Sequence, residues 1–336
     1  MVNKVHRREG CCCVLKLCSL VLAMIGMVFS MMVTPVAAAE IKNPSVVVNI
    51  PSRTLMLFSD NKLIKTYQVG VGTKEHETPI GEFTVKAKEV NPTWIKPPKD
   101  GEENTGGDLL VIESGPDNPL GYRWIEFDGM YGIHGTNKPD SIGGFVSNGC
   151  VRMLESNVEE LYENVSIGTP IKVTYQRLFF HKAADGTVSL NIYPDKYNRQ
   201  SITMDEINQQ LIQYDLNGFV DNDKLYVALV YANGEPLVIG KPFSILVNGK
   251  KIDKHGVMQD GIFYLPVIPI AVEQKINVEW NPETQMLSSY YGQVNGFVRD
   301  HILYMSKDDV HTLYGIYANW DADRNMMRLE SCNEQF

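Results

Sequence analysis

From residue 45 to residue 85 the chain runs in short apolar segments broken by turn residues. Ser45-Val46-Val47-Val48-Asn49-Ile50, Thr54-Leu55-Met56-Leu57-Phe58 and Leu63-Ile64-Lys65-Thr66-Tyr67-Gln68-Val69 are β-branched or apolar runs, separated by Pro51-Ser52-Arg53 and Ser59-Asp60-Asn61-Lys62. Branched side chains pack well on a pleated surface, and Pro, Ser, Asp and Asn favour tight reversals, so this cadence predicts an antiparallel meander. Thr78-Pro79-Ile80-Gly81 reads as a turn feeding another strand that ends at Val85, and strand signals resume over residues 109–112, 123–127 and 131–134. One helix is clear: Val158, Leu161, Tyr162 and Val165 fall at i, i+3, i+4 and i+7, Ser156 and Glu159 have capping-box spacing, and Gly168 is placed to close it. Residues 170–175 return as a strand, so this part of the chain is expected to be mainly β with a short helix packed on it.

Chemistry concentrates between His134 and Met153. His134-Gly135-Thr136 is followed ten residues later by Ser147-Asn148-Gly149-Cys150-Val151-Arg152-Met153. A thiol is a nucleophile as its thiolate, and an imidazole brought to it by the fold can take its proton and hold it, depressing the thiol pKa. Gly149 permits a sharp bend beside Cys150, so that main-chain N–H groups can face an oxygen on the carbon under attack. Gly70-Val71-Gly72 lacks the third glycine and the following helix of a dinucleotide loop. Residues 91–108 are long, polar and rich in Pro and Gly; Trp94 within them reads either as part of a lid or substrate wall, or as the anchor of an ordinary surface loop.

The first 39 residues read as a secretory signal. Lys4, Arg7, Arg8 and Lys16 precede an apolar run over residues 20–33, and Val36-Ala37-Ala38-Ala39 offers a small-residue cleavage site. Uncleaved, residues 14–33 would serve as a membrane anchor, and that would be the chain's only membrane contact. Removing the leader takes away four basic residues and Glu9, which moves the formal charge from −9 to −12 and argues against a nucleic-acid partner. Four of the six cysteines (Cys11, Cys12, Cys13, Cys18) lie in the leader, leaving Cys150 and Cys332. A structural bridge between those two is the alternative to a free nucleophile. No zinc spacing such as C-x-x-C or H-E-x-x-H occurs.

About 300 residues after the leader suit two domains. The first, residues 40–176, resembles the L,D-transpeptidase catalytic domain, the YkuD-like family of bacterial cell-wall enzymes. The resemblance rests on the opening strands, Thr78-Pro79-Ile80-Gly81, Asn91-Pro92-Thr93-Trp94, Asn118-Pro119-Leu120-Gly121, His134-Gly135-Thr136, Ser141-Ile142-Gly143 and the residues from Ser147 to Met153. It implies a YkuD-like β-sandwich or open barrel with a short helix. It also implies a cysteine acyltransferase without cofactor or metal, Cys150 being the nucleophile, His134 the base, and Gly149, Ser147 and Gly135 shaping the site and its oxyanion pocket. Peptidoglycan stem peptides would be the substrate, with 3→3 cross-links as product, a carbapenem would acylate Cys150, and the location would be the extracytoplasmic bacterial envelope. A carboxypeptidase using water, or a non-catalytic wall-binding protein, are the alternatives. The family pattern Ser-His-Gly-Cys is here Ser147-Asn148-Gly149-Cys150, so the resemblance makes Asn148, together with Arg152 and Trp94, a substrate-binding residue.

In residues 177–336, Ile262-Phe263-Tyr264, Trp280 and Met286 recur 40 residues later as Ile302-Leu303-Tyr304, Trp320 and Met326. Asn217-Gly218-Phe219-Val220 recurs as Asn295-Gly296-Phe297-Val298. Each unit reads as an Asn-Gly turn, a strand, a helix and a strand ending in Trp. Thr203 with Glu206, and Ser306 with Asp309, are the expected helix starts. This α+β pattern resembles the copper amine oxidase N-terminal-like domain, although its scattered histidines offer no copper site.

Overall fold

Alternation of branched apolar residues builds the first sheet. The computed structural model describes residues 41–96 and 110–331; the leader, most of the 91–108 loop and Cys332 lie outside the described residues. Strands β1 (Pro44–Asn49), β2 (Thr54–Ser59) and β3 (Lys62–Gln68) form the expected meander. Asp60 and Asn61 turn the second reversal with φ of 47° and 62°, the left-handed pair that matches the twist of a two-residue hairpin. Strands β4 (Val71–Gly72), β5 (Gly81–Thr84), β6 (Ala87–Val90), β7 (Trp94–Ile95), β8 (Val111–Ile112), β9 (Arg123–Asp128), β10 (Tyr131–His134), β11 (Phe145–Ser147) and β12 (Val151–Arg152) follow. Helix α1 (Glu155–Asn164) and β13 (Pro170–Thr174) come next. β13 returns to pair parallel with β1, giving a five-stranded sheet ordered β3-β2-β1-β13-β5, and a second sheet runs β12-β10-β9-β6.

Period two decides what is buried. Val46 and Val48, Leu55 and Leu57, and Ile171 and Val173 turn to one face of the first sheet, while Ile125, Phe127, Ile133 and Val151 do so from the second. Phe83 and Phe127 meet edge to face at 5.3 Å. α1 adds Val158 and Leu161 to the core. Its start differs from the expected capping box: the helix begins at Glu155, Leu154 stands at the N-cap without a side-chain cap, and Val165 ends it before Gly168 is reached.

The chain from Lys42 onward forms one compact unit. β14 (Leu178–Lys182) and β15 (Val188–Ile192) make a hairpin, followed by α2 (Met204–Ile212), α3 (Asn222–Tyr231) and the long β16 (Pro236–Val247). Thr203 caps α2 by accepting the Glu206 amide, as its spacing predicts, and Ile207 and Leu211 are buried. Ser306 likewise caps a 3₁₀ turn that leads into the helix Val310–Tyr314, closed by Gly315. The 40-residue repeat is structural: strands Ile262–Pro266 and Ile302–Ser306 pair with each other, each is followed by a short helix, and Trp280 and Trp320 stand on the strands after those helices. The Asn217 unit departs from it. Asp221 accepts the Asp223 and Lys224 amides and starts α3, so Leu225 and Tyr226 are helical rather than extended.

Asn118 fastens the connections that lead toward β9. Fully buried, it donates Nδ2 to the carbonyls of Pro92 (2.8 Å) and Ile112 (3.1 Å) and accepts the Leu120 amide at Oδ1 (2.8 Å). Asn118→Asp keeps the shape and the accepted bond but removes the donors, and is expected to cost about 2–4 kcal/mol in urea unfolding; a change below about 0.5 kcal/mol would show that water replaces them.

Candidate active site

Parallel pairing of β10 with β12 assembles the site. Ile133 pairs with Val151 and His134 with Arg152. Successive residues of a strand face opposite ways, so Ile133 and Val151 enter the core, while His134 and Arg152 share the other face. Cys150 stands in the turn directly before β12, two residues ahead of Arg152. Its Sγ lies 3.7 Å from the Met130 carbonyl. Arg152, through its guanidinium, acts electrostatically on both Cys150 and His134. Its main chain is pinned to Gly70 by two bonds, of 2.8 and 2.9 Å, and its Nε, buried, has no partner among the described residues.

His134 is 4 % exposed and stacks on Trp124 at 5.7 Å. Its Nδ1 is 2.7 Å from the Gly135 carbonyl. A carbonyl only accepts, so the neutral ring carries its proton on Nδ1 and leaves Nε2 as the basic nitrogen. Glu155 orders the loops around it: Oε1 accepts the Thr136 amide at 2.6 Å and Oε2 the Tyr122 amide at 3.1 Å. A Cβ on either Gly135 or Gly121 would collide with this carboxylate, which explains glycine at both. Glu155 is therefore occupied by tertiary amides instead of the helix's own first turn.

The turn before the thiol is equally fixed. Ser147 is buried and pairs with Gly72; its Oγ accepts the Gly149 amide at 3.1 Å and donates to the Cys150 carbonyl at 2.6 Å. Gly149 has φ of 105°, and a Cβ there would strike the Tyr131 ring. Gly149 and Ser147 thus shape the turn before Cys150, with the Gly149 N–H itself committed to Ser147. Among the described residues the Cys150 amide makes no backbone bond outside the strand ladders. Asn148 is exposed. Trp94 is half-buried in the β7–β8 ribbon and has no hydrogen bond or ring contact with His134 or Cys150 among the described residues.

Burial is the largest influence on both reactive groups. It pushes the Cys150 thiol above its ordinary 9.0, opposed by the Gly132 backbone and the Arg152 guanidinium. It pulls His134 down to about 4, reinforced by Arg152 and opposed by the Gly135 and Leu120 backbones. Both directions favour a thiol and a neutral imidazole over the thiolate and imidazolium that the sequence suggests. No three His, Cys, Asp or Glu side chains among the described residues are grouped to hold a metal ion.

Sequence reasoning singled out His134 and Cys150 but missed Glu155, Trp124 and Thr78. Glu155 left one trace, the Asn118-Pro119-Leu120-Gly121 turn and the His134-Gly135-Thr136 element each carrying a glycine where its carboxylate inserts.

Comparison with known proteins follows this geometry. The YkuD family, the L,D-transpeptidase catalytic domain, matches residues 43–173. The L,D-transpeptidase-family protein YqjB of Bacillus subtilis (strain 168) is 40 % identical over 149 residues, covering 42 % of this chain and 77 % of that protein. ErfK/SrfK of Escherichia coli (strain K12), named in the same way, is 30 % identical over 205 residues, or 58 % of this chain and 66 % of its own length. Among solved structures, L,D-transpeptidase 3 from Mycobacterium tuberculosis in complex with a faropenem-derived adduct is 20 % identical with a TM-score of 0.32, covering 39 % of this chain and 60 % of that one. The chain belongs to the L,D-transpeptidase family, with its YkuD catalytic domain in residues 43–173.

Proposed function

We propose that the chain is an exported cysteine acyltransferase acting on peptidoglycan stem peptides, residues 40–176 holding the catalytic centre and residues 177–336 supporting it. The observation that carries this reading is the β10–β12 register, which pairs His134 with Arg152, two residues after Cys150, within the family-matched segment. Cys150 Sγ attacks the carbonyl carbon of the third residue of a stem tetrapeptide as its proton passes to His134 Nε2. The tetrahedral oxygen is held by the Cys150 amide. His134 then returns the proton to the leaving nitrogen, D-alanine departs, and a thioester remains on Cys150. The side-chain amine of a neighbouring stem attacks that thioester, its proton again passing by His134 to the departing thiolate, and a 3→3 cross-link forms. A thioester is reactive enough for aminolysis without ATP, which suits chemistry outside the cytoplasm.

A neutral imidazole fits this role better than an ion pair would. The base must be empty when substrate arrives; burial keeps it so, reinforced by Arg152, whose guanidinium is also available to a substrate carboxylate. Asn148, exposed beside the nucleophile, is placed to hydrogen-bond the stem peptide. The strained amide of a carbapenem presents the same kind of carbonyl, so it is expected to acylate Cys150.

Incubation of the leaderless protein with disaccharide tetrapeptides, followed by mass spectrometry, is expected to show loss of D-alanine and new dimers, both abolished by Cys150→Ala. Tripeptide without dimers would instead identify water as the acceptor, and unchanged tetrapeptide would contradict acyl transfer altogether. The raised thiol makes a second prediction. Thiolate increases with pH through a midpoint above 9.0, so at pH 7 it is at most on the order of one per cent. Alkylation of Cys150 by iodoacetamide should therefore keep rising beyond pH 9, whereas a plateau below pH 7 would reveal a resting thiolate–imidazolium pair.

A further inference from the structure

The segment after β15 turns back from the second half of the chain onto the scaffold of the nucleophile. Arg177 holds it from below, donating Nε to the Tyr193 carbonyl at 2.9 Å, bonding the Gln200 carbonyl through Nη1, and pairing with Asp195 at 3.6 Å. Asp195 accepts the Tyr175 hydroxyl at 2.8 Å and the amides of Arg199 and Gln200 at 2.8 and 3.1 Å. Tyr197, 4 % exposed, is the residue this frame presents. Its amide donates to the Tyr175 hydroxyl at 2.9 Å and its ring stacks on Tyr175 at 5.4 Å.

The Tyr197 hydroxyl reaches the strand behind the thiol turn. It donates to the Gly72 carbonyl at 2.8 Å and accepts the Thr78 amide at 3.2 Å. Gly72 donates its own amide to buried Thr78 Oγ1 at 2.9 Å. Gly72 is the partner of Ser147, and the next amide, Thr73, donates to the Ser147 carbonyl at 3.0 Å. Ser147 in turn fixes Gly149 and Cys150. A second tie runs alongside: Arg199 pairs with the Glu77 carboxylate, and the Glu77 carbonyl packs against Gly149.

We propose that Tyr197, which lies outside the family-matched segment, is a positioning residue for Cys150, acting through Gly72 and Ser147 with Arg199 and Glu77 as its auxiliary tie. This rests on Cys150 being the nucleophile. Tyr197 touches neither reactive group. Its effect is to hold the thiol turn at the depth where His134 and Arg152 meet it, which makes the site of residues 43–173 depend on residues 175–200.

The test is Tyr197→Phe in the leaderless protein, which keeps the ring contacts and deletes both hydroxyl bonds. Two rates are followed on samples shown folded by circular dichroism: acylation by imipenem and alkylation by iodoacetamide across pH. Loosening the turn is expected to slow saturated acylation roughly tenfold with half-saturation nearly unchanged, and to move the alkylation midpoint down toward the ordinary thiol value as burial is relieved. A folded variant with wild-type acylation and an unmoved alkylation profile would reduce Tyr197 to a structural clasp and overturn the proposal. Should Tyr197→Phe fail to fold, Arg199→Ala decides: a roughly threefold slowing supports the proposal, and no change in either rate overturns it. If imipenem leaves the wild type unmodified, the acyltransfer reading fails separately, while the alkylation profiles still decide the role of Tyr197.

Discussion

One register, His134 opposite Arg152 across a parallel pair, organises this molecule. Parity turns it into chemistry. Because Ile133 and Val151 must enter the core, their neighbours must face away from it, and the imidazole and the guanidinium arrive on one surface without either being aligned separately, next to the turn that carries Cys150. A slip by one residue would bury a histidine and an arginine in the hydrophobic core and lift two branched apolar residues out of it. The cost of that exchange is what holds the site in place.

Burial then sets the character of the pair. The forces that make His134 part of a packed layer, with Trp124 across its face and the Gly135 carbonyl on Nδ1, also make its protonation expensive. The thiol is subject to the same desolvation, so burial disfavours charge on both groups. Glu155, a carboxylate spent on two backbone amides, and Ser147, spent on Gly149 and Cys150, are what keep this arrangement rigid. Neither needs to meet the substrate to matter.

The sequence carried the local part of this account. Strands β1, β2 and β9 were legible as short apolar runs bounded by turn residues, and His134 and Cys150 because few residue types can perform acyl transfer. The 40-residue repeat was legible from Trp280 and Trp320. What escaped was tertiary. Ser156 and Glu159 have the spacing of a cap, yet the helix starts at Glu155, whose carboxylate is drawn to the amides of Tyr122 and Thr136, 33 and 19 residues earlier in the chain. Asp221 starts a helix where the repeat pattern expected a strand. The bend at Gly149 was legible, but not the serine two residues before it that takes its amide. Tyr197 carries no local sign at all, because its partners Gly72 and Thr78 lie more than a hundred residues away.

The account stands on Cys150 becoming covalently acylated by a stem peptide with His134 as its base. Acid-quenched intact-mass spectrometry of the leaderless protein mixed with a disaccharide tetrapeptide, followed by peptide mapping, observes that bond directly. The predicted result is an adduct equal to the donor less D-alanine, located on the Cys150 peptide, absent in Cys150→Ala and strongly diminished in His134→Gln. An adduct on another residue, or full acylation of the His134→Gln variant, would contradict it.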